Sequence, residues 1–397
     1  MRSTYPTMNT FPTARKGRGR TLSDAPSSVM IHKVSADVDG AIRQGLFFLR
    51  ARQRRTGGFN VYRAASLGFE NWELRHTSLE GFPVAFSNEG DQMLPALSIG
   101  HSLLHLRGCE EADRMLRKIT RYVVENRLPG RLWKNNRSKD GSIRATPFDL
   151  QTTAKALTFL RQVGEPVKVP GATLLSNRDD RGLFHTFVAP RLRRGGSPGY
   201  WRAALGLMGN RVVMSLFGKA PAFDRDDISV PLNTYLLPVL GPCPAAAPVL
   251  GAIRDLLEQR GEGDRYGWYR DPFTVYRILS GAFRLGVSDI GTHRETIRER
   301  VMASLRPDGS FNGEVTDTAR AVCILLDFGF ADAGLLRSAL WLVSRQNADG
   351  SWDKRACYFD AGKTDTVVAY GSEDIVTALC LEAIARCKSG FVPGDGV

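Results

Sequence analysis

Three carboxylates crowd the string FDRDDIS, where Asp224, Asp226 and Asp227 precede an apolar run. Crowded carboxylates in a largely apolar surrounding cannot all ionise, so at least one stays protonated above its usual pKa and can donate. The plainer use of the same residues is capping, since acidic side chains at a helix start satisfy free N–H groups and suit the helix dipole. Aromatic rings gather in nearby loops: Tyr200 and Trp201, then Tyr266, Trp268 and Tyr269 in YGWYRDPF, the densest group, with Trp133 and Tyr358 further off. Their faces attract cations and apolar groups, although inter-helix packing is the competing use of each ring. Arg191, Arg193 and Arg194 in APRLRRGGSPGYWR form the one dense internal basic cluster, suited either to a solvated loop or to a lid over an anionic group.

The elements that must carry these residues read as helices. Several segments open with an acidic residue, then Thr or Ser, then a small and apolar run: FDLQTTAKALTFL from Phe148, DDISVPLNTYLLPVL from Asp226, RDPFTVYRILSGAF from Arg270, TDTARAVCILLDFG from Thr316 and SEDIVTALCLEAIA from Ser372. Apolar runs of this length predict buried inner helices capped by their acids. Between them lie amphipathic segments, such as those opening at Cys109, Ala247, Thr292 and Leu335, which predict an outer layer. Paired in order they give hairpins near 35–107, 109–164, 186–240, 245–286, 290–329 and 334–387, with long insertions at 57–88 and 166–199. Strand signals are sparse. The expected fold is all-α, a single (α/α)6 toroid of about six helical hairpins over residues 35–388; an open solenoid is the alternative, and irregular repeat lengths favour the closed ring.

Composition sets the limits. The chain has 397 residues, 43% of them hydrophobic, enough for a large core. No run approaches the length of a membrane span, the richest being Ala321 to Phe330, so a soluble protein is expected. Residues 1–34 hold Arg15, Lys16, Arg18 and Arg20 among Ser, Thr, Pro and Gly, without the apolar stretch of a secretory signal, and read as a disordered basic tail; 389–397 reads as a flexible end. The six cysteines fall singly without framework spacing, which fits a reducing cytoplasm. A net charge of +13 points to an anionic partner, whether nucleic acid, an acidic membrane surface or a diphosphate. No nucleic-acid-binding motif accompanies the charge, and no specific nucleic acid is expected. A basic protein with a greasy ligand could rest on an anionic leaflet, though no helix with a clear basic face stands out.

Two loops carry a further pattern. RQNADGSWDKRACYF, from Arg345, holds Gln346, Asp349, Gly350 and Trp352, and LRPDGSFNG, from Leu305, keeps Asp308 and Gly309 with Phe311 in place of Trp. The first resembles the QW motif of squalene-hopene cyclases and their relatives in the terpenoid cyclase and protein prenyltransferase superfamily. The resemblance is carried by residues 240–387, and by 35–240 through the rhythm of helix pairs alone. Such turns are structural staples and speak for fold.

The string Asp224 to Asp227 resembles the DxDD motif of class II terpene cyclases. The resemblance implies a protonation-initiated enzyme, of isomerase or lyase type, acting on an isoprenoid or its diphosphate. Asp226 would be the general acid, beside Asp224 and Asp227, with the loop aromatics and arginines around a hydrophobic small-molecule substrate. Two departures stand out: Ile228 takes the place where the family has Thr, and a single toroid lacks the second helical domain that usually closes the cavity. No metal site is expected, because the Asp-x-Cys and distant His of a prenyltransferase zinc site are absent. Mg²⁺ would enter only as the partner of a diphosphate. Two alternatives stay open. One is a carbohydrate-active or prenyl-transfer toroid pairing Asp226 or Asp227 with Asp149, Asp317 or Asp374. The other is a non-catalytic toroid that binds a lipid, peptide or protein partner.

Overall fold

The computed structural model describes residues 28–67, 87–88, 92–128, 130–135, 148–189, 196–208, 226–263, 268–359 and 366–391. The chain is mostly helical. Six helices form an inner set: α2 (Met93–Leu103), α4 (Leu150–Gln162), α7 (Val230–Thr234), α10 (Pro272–Arg284), α12 (Val315–Asp327) and α14 (Glu373–Phe391). Each packs on the next in that order, and α14 packs back on α2, so the contacts form a closed cycle. Outside the cycle lie α1 (Ser28–Arg52), α3 (Glu110–Glu125), α9 (Ala247–Glu258), α11 (Arg294–Met302) and α13 (Ala333–Val343). The short α5 (Gly171–Leu175) and α6 (Pro198–Met208) pack on each other between α4 and α7 in the chain, and α8 (Leu237–Leu240) follows α7. Helix α1 begins before the boundary expected at residue 35.

The two layers differ as their sequences dictate. In α3, Met115, Leu116, Ile119, Tyr122 and Val123 are buried at helical spacing while Arg117, Lys118 and Arg121 face outward. In α12 every residue from Val315 to Leu325 is buried, because that helix is covered on all sides.

Outer helices run into inner ones through a repeated turn. In the turn after α13, Gln346 donates to Ala41 O and Gly350 O, both at 2.9 Å, and Asp349 accepts from the Ser351 N–H at 2.9 Å. The fully buried Trp352 donates its indole N–H to Leu342 O at 2.9 Å, and its backbone N–H bonds Thr377 Oγ1 at 3.1 Å. The turn at 308–311 keeps this plan, with Asp308 on Ser310 and the Phe311 N–H on Thr318 Oγ1. Two further copies went unread in the sequence. Trp133 donates its indole N–H to Val123 O at 2.9 Å and its backbone N–H to Thr153 Oγ1; Gln53 reaches Gly57 O and Met115 O ahead of the buried Phe59. Gly350 has φ +87, and a Cβ there would lie 2.4 Å from Gln44 O of α1, so the last turn seats on the first helix.

Two small sheets correct the all-helical expectation. Strands β1 (Tyr62–Leu67), β2 (Ser87–Asn88), β5 (Ala356–Phe359) and β6 (Thr366–Gly371) form one in the order β2-β1-β6-β5; β3 (Phe148–Asp149) and β4 (Phe187–Val188) form the other. Segments such as YRAASL lack a clean alternation, and most of its pairing is with distant chain: Tyr62 faces Gly371 and Leu67 faces Thr366. A second correction concerns the run from Asp226, expected as one helix reaching Leu240. Prolines 231 and 238 sit at the starts of two short helices, α7 and α8, and Ser229 supplies the cap by accepting from the Leu232 N–H. Asp226 and Asp227 therefore do not cap this helix through their side chains.

Candidate active site

The N-terminal ends of the inner helices converge on one rim. At α4, Asp149 is the cap residue: Oδ1 accepts from the Thr152 N–H at 2.6 Å and Oδ2 from the Asn135 N–H at 3.1 Å. These bonds favour the carboxylate, yet the group is buried with no cationic partner among its causes of shift. Burial outweighs them and raises its pKa to about 6. At α10, Asp271 accepts from the Phe273 and Thr274 N–H groups and pairs with Arg320 at 2.7 Å. At α14, Asp374 is buried, and burial lifts it to about 6 although Arg52 lies 3.1 Å away. Asp317 of α12 accepts from Asn312 at 2.8 Å. Asp149 and Asp374 are both raised by burial, but Asp374 lies beside Arg52 and Glu373, whereas hydrogen bonds alone oppose the burial of Asp149.

Aromatic and amide groups surround it. Asp149 pairs with Phe187 in the small sheet, and Phe187 meets Trp268 edge to face at 5.8 Å. The Trp268 indole N–H donates to Asp227 Oδ2 at 2.9 Å, and the Asp227 carbonyl accepts from the Thr186 N–H at 2.8 Å. Gln151, two residues beyond Asp149, donates to the Tyr269 hydroxyl, which also hydrogen-bonds Tyr235. Burial pushes the Tyr235 hydroxyl to about 12 and raises Tyr269 well above its usual value, so both remain neutral. Tyr358 donates to Gln92 Oε1 at 2.7 Å and stacks on Tyr370 with ring centroids 5.1 Å apart.

Below the rim, the inner helices enclose a space. Ser98 on α2, Lys155 on α4 and Arg277 on α10 each keep some surface although their neighbours along the helix are covered. On a helix packed from all sides, uncovered surface faces an internal space. Tyr235, Ile375 and Leu379 are likewise partly uncovered. The far end is closed by ion pairs. Arg277 pairs with both Asp327 and Glu382, Arg386 reaches Asp327 at 2.7 Å and Glu382 at 3.3 Å, and Arg284 reaches Asp327 at 3.1 Å. Burial opposes ionisation of Glu382, but Arg277, His105, Arg386 and Arg284 outweigh it and hold the group well below the carboxylate range. Burial lowers His105 to about 4, so it is neutral.

The residues singled out in the sequence divide. Asp227, Trp268 and Tyr269 come together at the rim. Asp226 is exposed. Tyr200 is buried, donates to Ala189 O at 2.6 Å and packs edge to face with Trp201 at 5.4 Å, in the layer made by α6. Asp224, Arg191, Arg193, Arg194 and Tyr266 lie outside the described residues. Gln92, Asn135, Gln151 and Tyr235 were missed. The one signal for Gln151 was an amide on an otherwise apolar inner run; Gln92 and Asn135 had none. Among the described residues no group of three or more His, Cys, Asp or Glu side chains is placed to hold a metal ion, and no helix is long and apolar enough to cross a membrane.

No family profile matches the sequence, and no curated protein does. Solved structures do match the fold. A protein from Actinoplanes superposes with a TM-score of 0.61 at 18% identity, covering 89% of this chain and 99% of its own. Type II terpene cyclase MstE from Scytonema, in complex with its substrate geranylgeranyl dihydroxybenzoate, superposes with a TM-score of 0.59 at 14% identity, covering 91% of this chain and 100% of its own. MstE in complex with its product merosterolic acid A gives the same values. The chain thus shares the fold of these solved structures, MstE among them, over nearly its whole length.

Proposed function

We propose that the closed cycle of helices is a single (α/α)6 toroid and that the chain is a terpene cyclase-like enzyme of the protonation-initiated type. It takes an isoprenoid into the space enclosed by the inner helices. The observation that carries the reading is the carboxyl of Asp149: buried at the rim, raised to about 6 and free of a compensating cation among the causes of its shift. Protonating an alkene requires a protonated acid beside an apolar chain, and desolvation raises the pKa of Asp149 in that direction.

We assign the general acid to Asp149, which is buried, in place of Asp226, which is exposed. The acid gives its proton to a terminal alkene carbon, the C=C π bond breaks, and the cation develops against the rings of Tyr235 and Tyr269, which are neutral and hydrogen-bonded to each other. Loss of a proton from the last cation restores an alkene, so the reaction is an isomerisation and consumes no cofactor. Mg²⁺ would matter only as a companion to a diphosphate head.

The test is to incubate the protein in D₂O with squalene, farnesyl diphosphate, geranylgeranyl diphosphate and geranylgeranyl dihydroxybenzoate, and to analyse the products by mass spectrometry. The expected product is an isomer of the substrate carrying one solvent deuterium, formed by the wild type and by Asp226→Asn but lost in Asp149→Asn. Absence of cyclised product from all four substrates would refute the activity. Full turnover by Asp149→Asn would refute the assignment of the acid.

A further inference from the structure

Lys155 is a cation in an unexpected place. It lies about 9 Å below Asp149, six residues along α4 at the helical rise, and it alone keeps surface on the stretch from Leu150 to Leu160. Its ammonium donates to Ser98 Oγ at 2.9 Å and sits 5.3 Å from the centre of the Tyr235 ring. Among the described residues no carboxylate lies within 4.0 Å of it. The described arginines nearest the floor are paired: Arg277, Arg284 and Arg386 share Asp327 and Glu382. That cluster already sets three guanidiniums against two carboxylates, and Lys155 adds a further positive charge.

We propose that Lys155 and Ser98 form a binding site for an acidic group, a carboxylate or phosphate, on the apolar ligand that fills the ring; the isoprenoid character of that ligand rests on the function proposed above. The Ser98 oxygen accepts from the ammonium, so its own O–H is free to donate to a ligand oxygen, and the ammonium keeps protons beyond the one given to Ser98. Burial, together with the charge of Arg277, lowers the Lys155 pKa to about 8, a cost that an incoming anion relieves. The pairing also suits the chemistry at the rim. An uncompensated ammonium would raise the energy of a carbocation formed in the same space, whereas an ammonium neutralised by the acidic head would not.

The experiment measures binding by calorimetry for farnesoic acid, farnesyl phosphate and farnesol, with decanoic acid and decanol as straight-chain controls, on wild type, Lys155→Met, Lys155→Arg and Ser98→Ala. The expected result is that wild type prefers the acids to the alcohols by roughly 10-fold or more, the worth of one charge-assisted hydrogen bond. Which of farnesoic acid and farnesyl phosphate binds more tightly separates the two head groups. Lys155→Met should equalise acid and alcohol while still binding farnesol, Lys155→Arg should keep the preference, and Ser98→Ala should lose part of it. Thermal melts of the unliganded variants provide a second readout: removing an unpaired buried charge should raise the Tm of Lys155→Met, whereas a structural lysine would lower it. Equal binding of acid and alcohol by wild type, a preference that survives Lys155→Met, or no binding by any probe would overturn the site. Discrimination of decanoic acid from decanol through Lys155, without cyclisation of any isoprenoid, would leave the site standing and remove the cyclase.

Discussion

Replacing Asp149 with Asn separates an acid from a helix cap through stability alone. Raising a carboxyl from 3.8 to about 6 makes its ionised form roughly 3 kcal/mol less favourable in the folded chain than in water. The folded pKa lies above the unfolded one, so between about pH 4 and 6 the native state binds more protons. Stability contributed by the group therefore falls as pH rises through this window and is lowest above it. Asn has the shape of the protonated acid and can still accept from the Thr152 and Asn135 N–H groups. It is a weaker acceptor, at a cost of about 1 kcal/mol. At pH 7.5 the variant should be more stable than wild type by about 2 kcal/mol, and at pH 4 the gain should vanish. The assay is urea unfolding followed by circular dichroism at pH 4, 5.5 and 7.5. An ordinary cap predicts the opposite sign, a loss of about 0.5–2 kcal/mol when a good capping side chain is weakened. Destabilisation of Asp149→Asn at pH 7.5 would end the view of Asp149 as a strained acid.

Other outcomes follow from the ring. Gly350→Ala should cost about 3 kcal/mol or more, because a Cβ at φ +87 would also collide with Gln44 O; thermal melts would show it, and a neutral result would mean the last turn does not seat on α1. Trp352→Phe and Trp133→Phe should each lose about 1–3 kcal/mol in chemical denaturation, since each strips an indole hydrogen bond from a buried carbonyl. Glu382→Gln should cost about 3–5 kcal/mol by leaving Arg277 and Arg386 short of a partner, and equal melts for variant and wild type would contradict the pairing.

The helices were legible because their signals are local. Acidic openings and apolar runs marked α4, α10, α12 and α14 almost at their observed bounds, and the Gln346 to Trp352 string marked the turn that follows α13. The copies at Trp133 and Phe59 escaped notice because they keep the bonds while changing the letters: LPGRLW has no Gln or Asp, and RTGGF has no Trp. The strands were hidden because β1 pairs with β6, some three hundred residues away in sequence. The acid proposed here was overlooked in the sequence for a similar reason. Three aspartates within four residues stand out to the eye, but what shifts a carboxyl is the chain that comes to cover it. Asp149, a lone acid in FDLQTT, is buried where its strand pairs with the strand of Phe187, whereas Asp226 is exposed.

Coverage explains why one ring can hold two buried acids of opposite character. Asp149 at the rim is desolvated without a cation, and its pKa goes up; Glu382 at the floor is desolvated among guanidiniums, and its pKa goes down. The signs of their linkage to stability are therefore opposite. Glu382 contributes stability above its unfolded value of 4.5, and that contribution is lost as pH falls through the lower folded value. Between roughly pH 4.5 and 6 the rim acid is protonated while the floor remains fully ionised and paired. The closed floor is what permits this. There Arg277, Arg284 and Arg386 share Asp327 and Glu382, whereas among the described residues no such cation stands beside the acid at the rim.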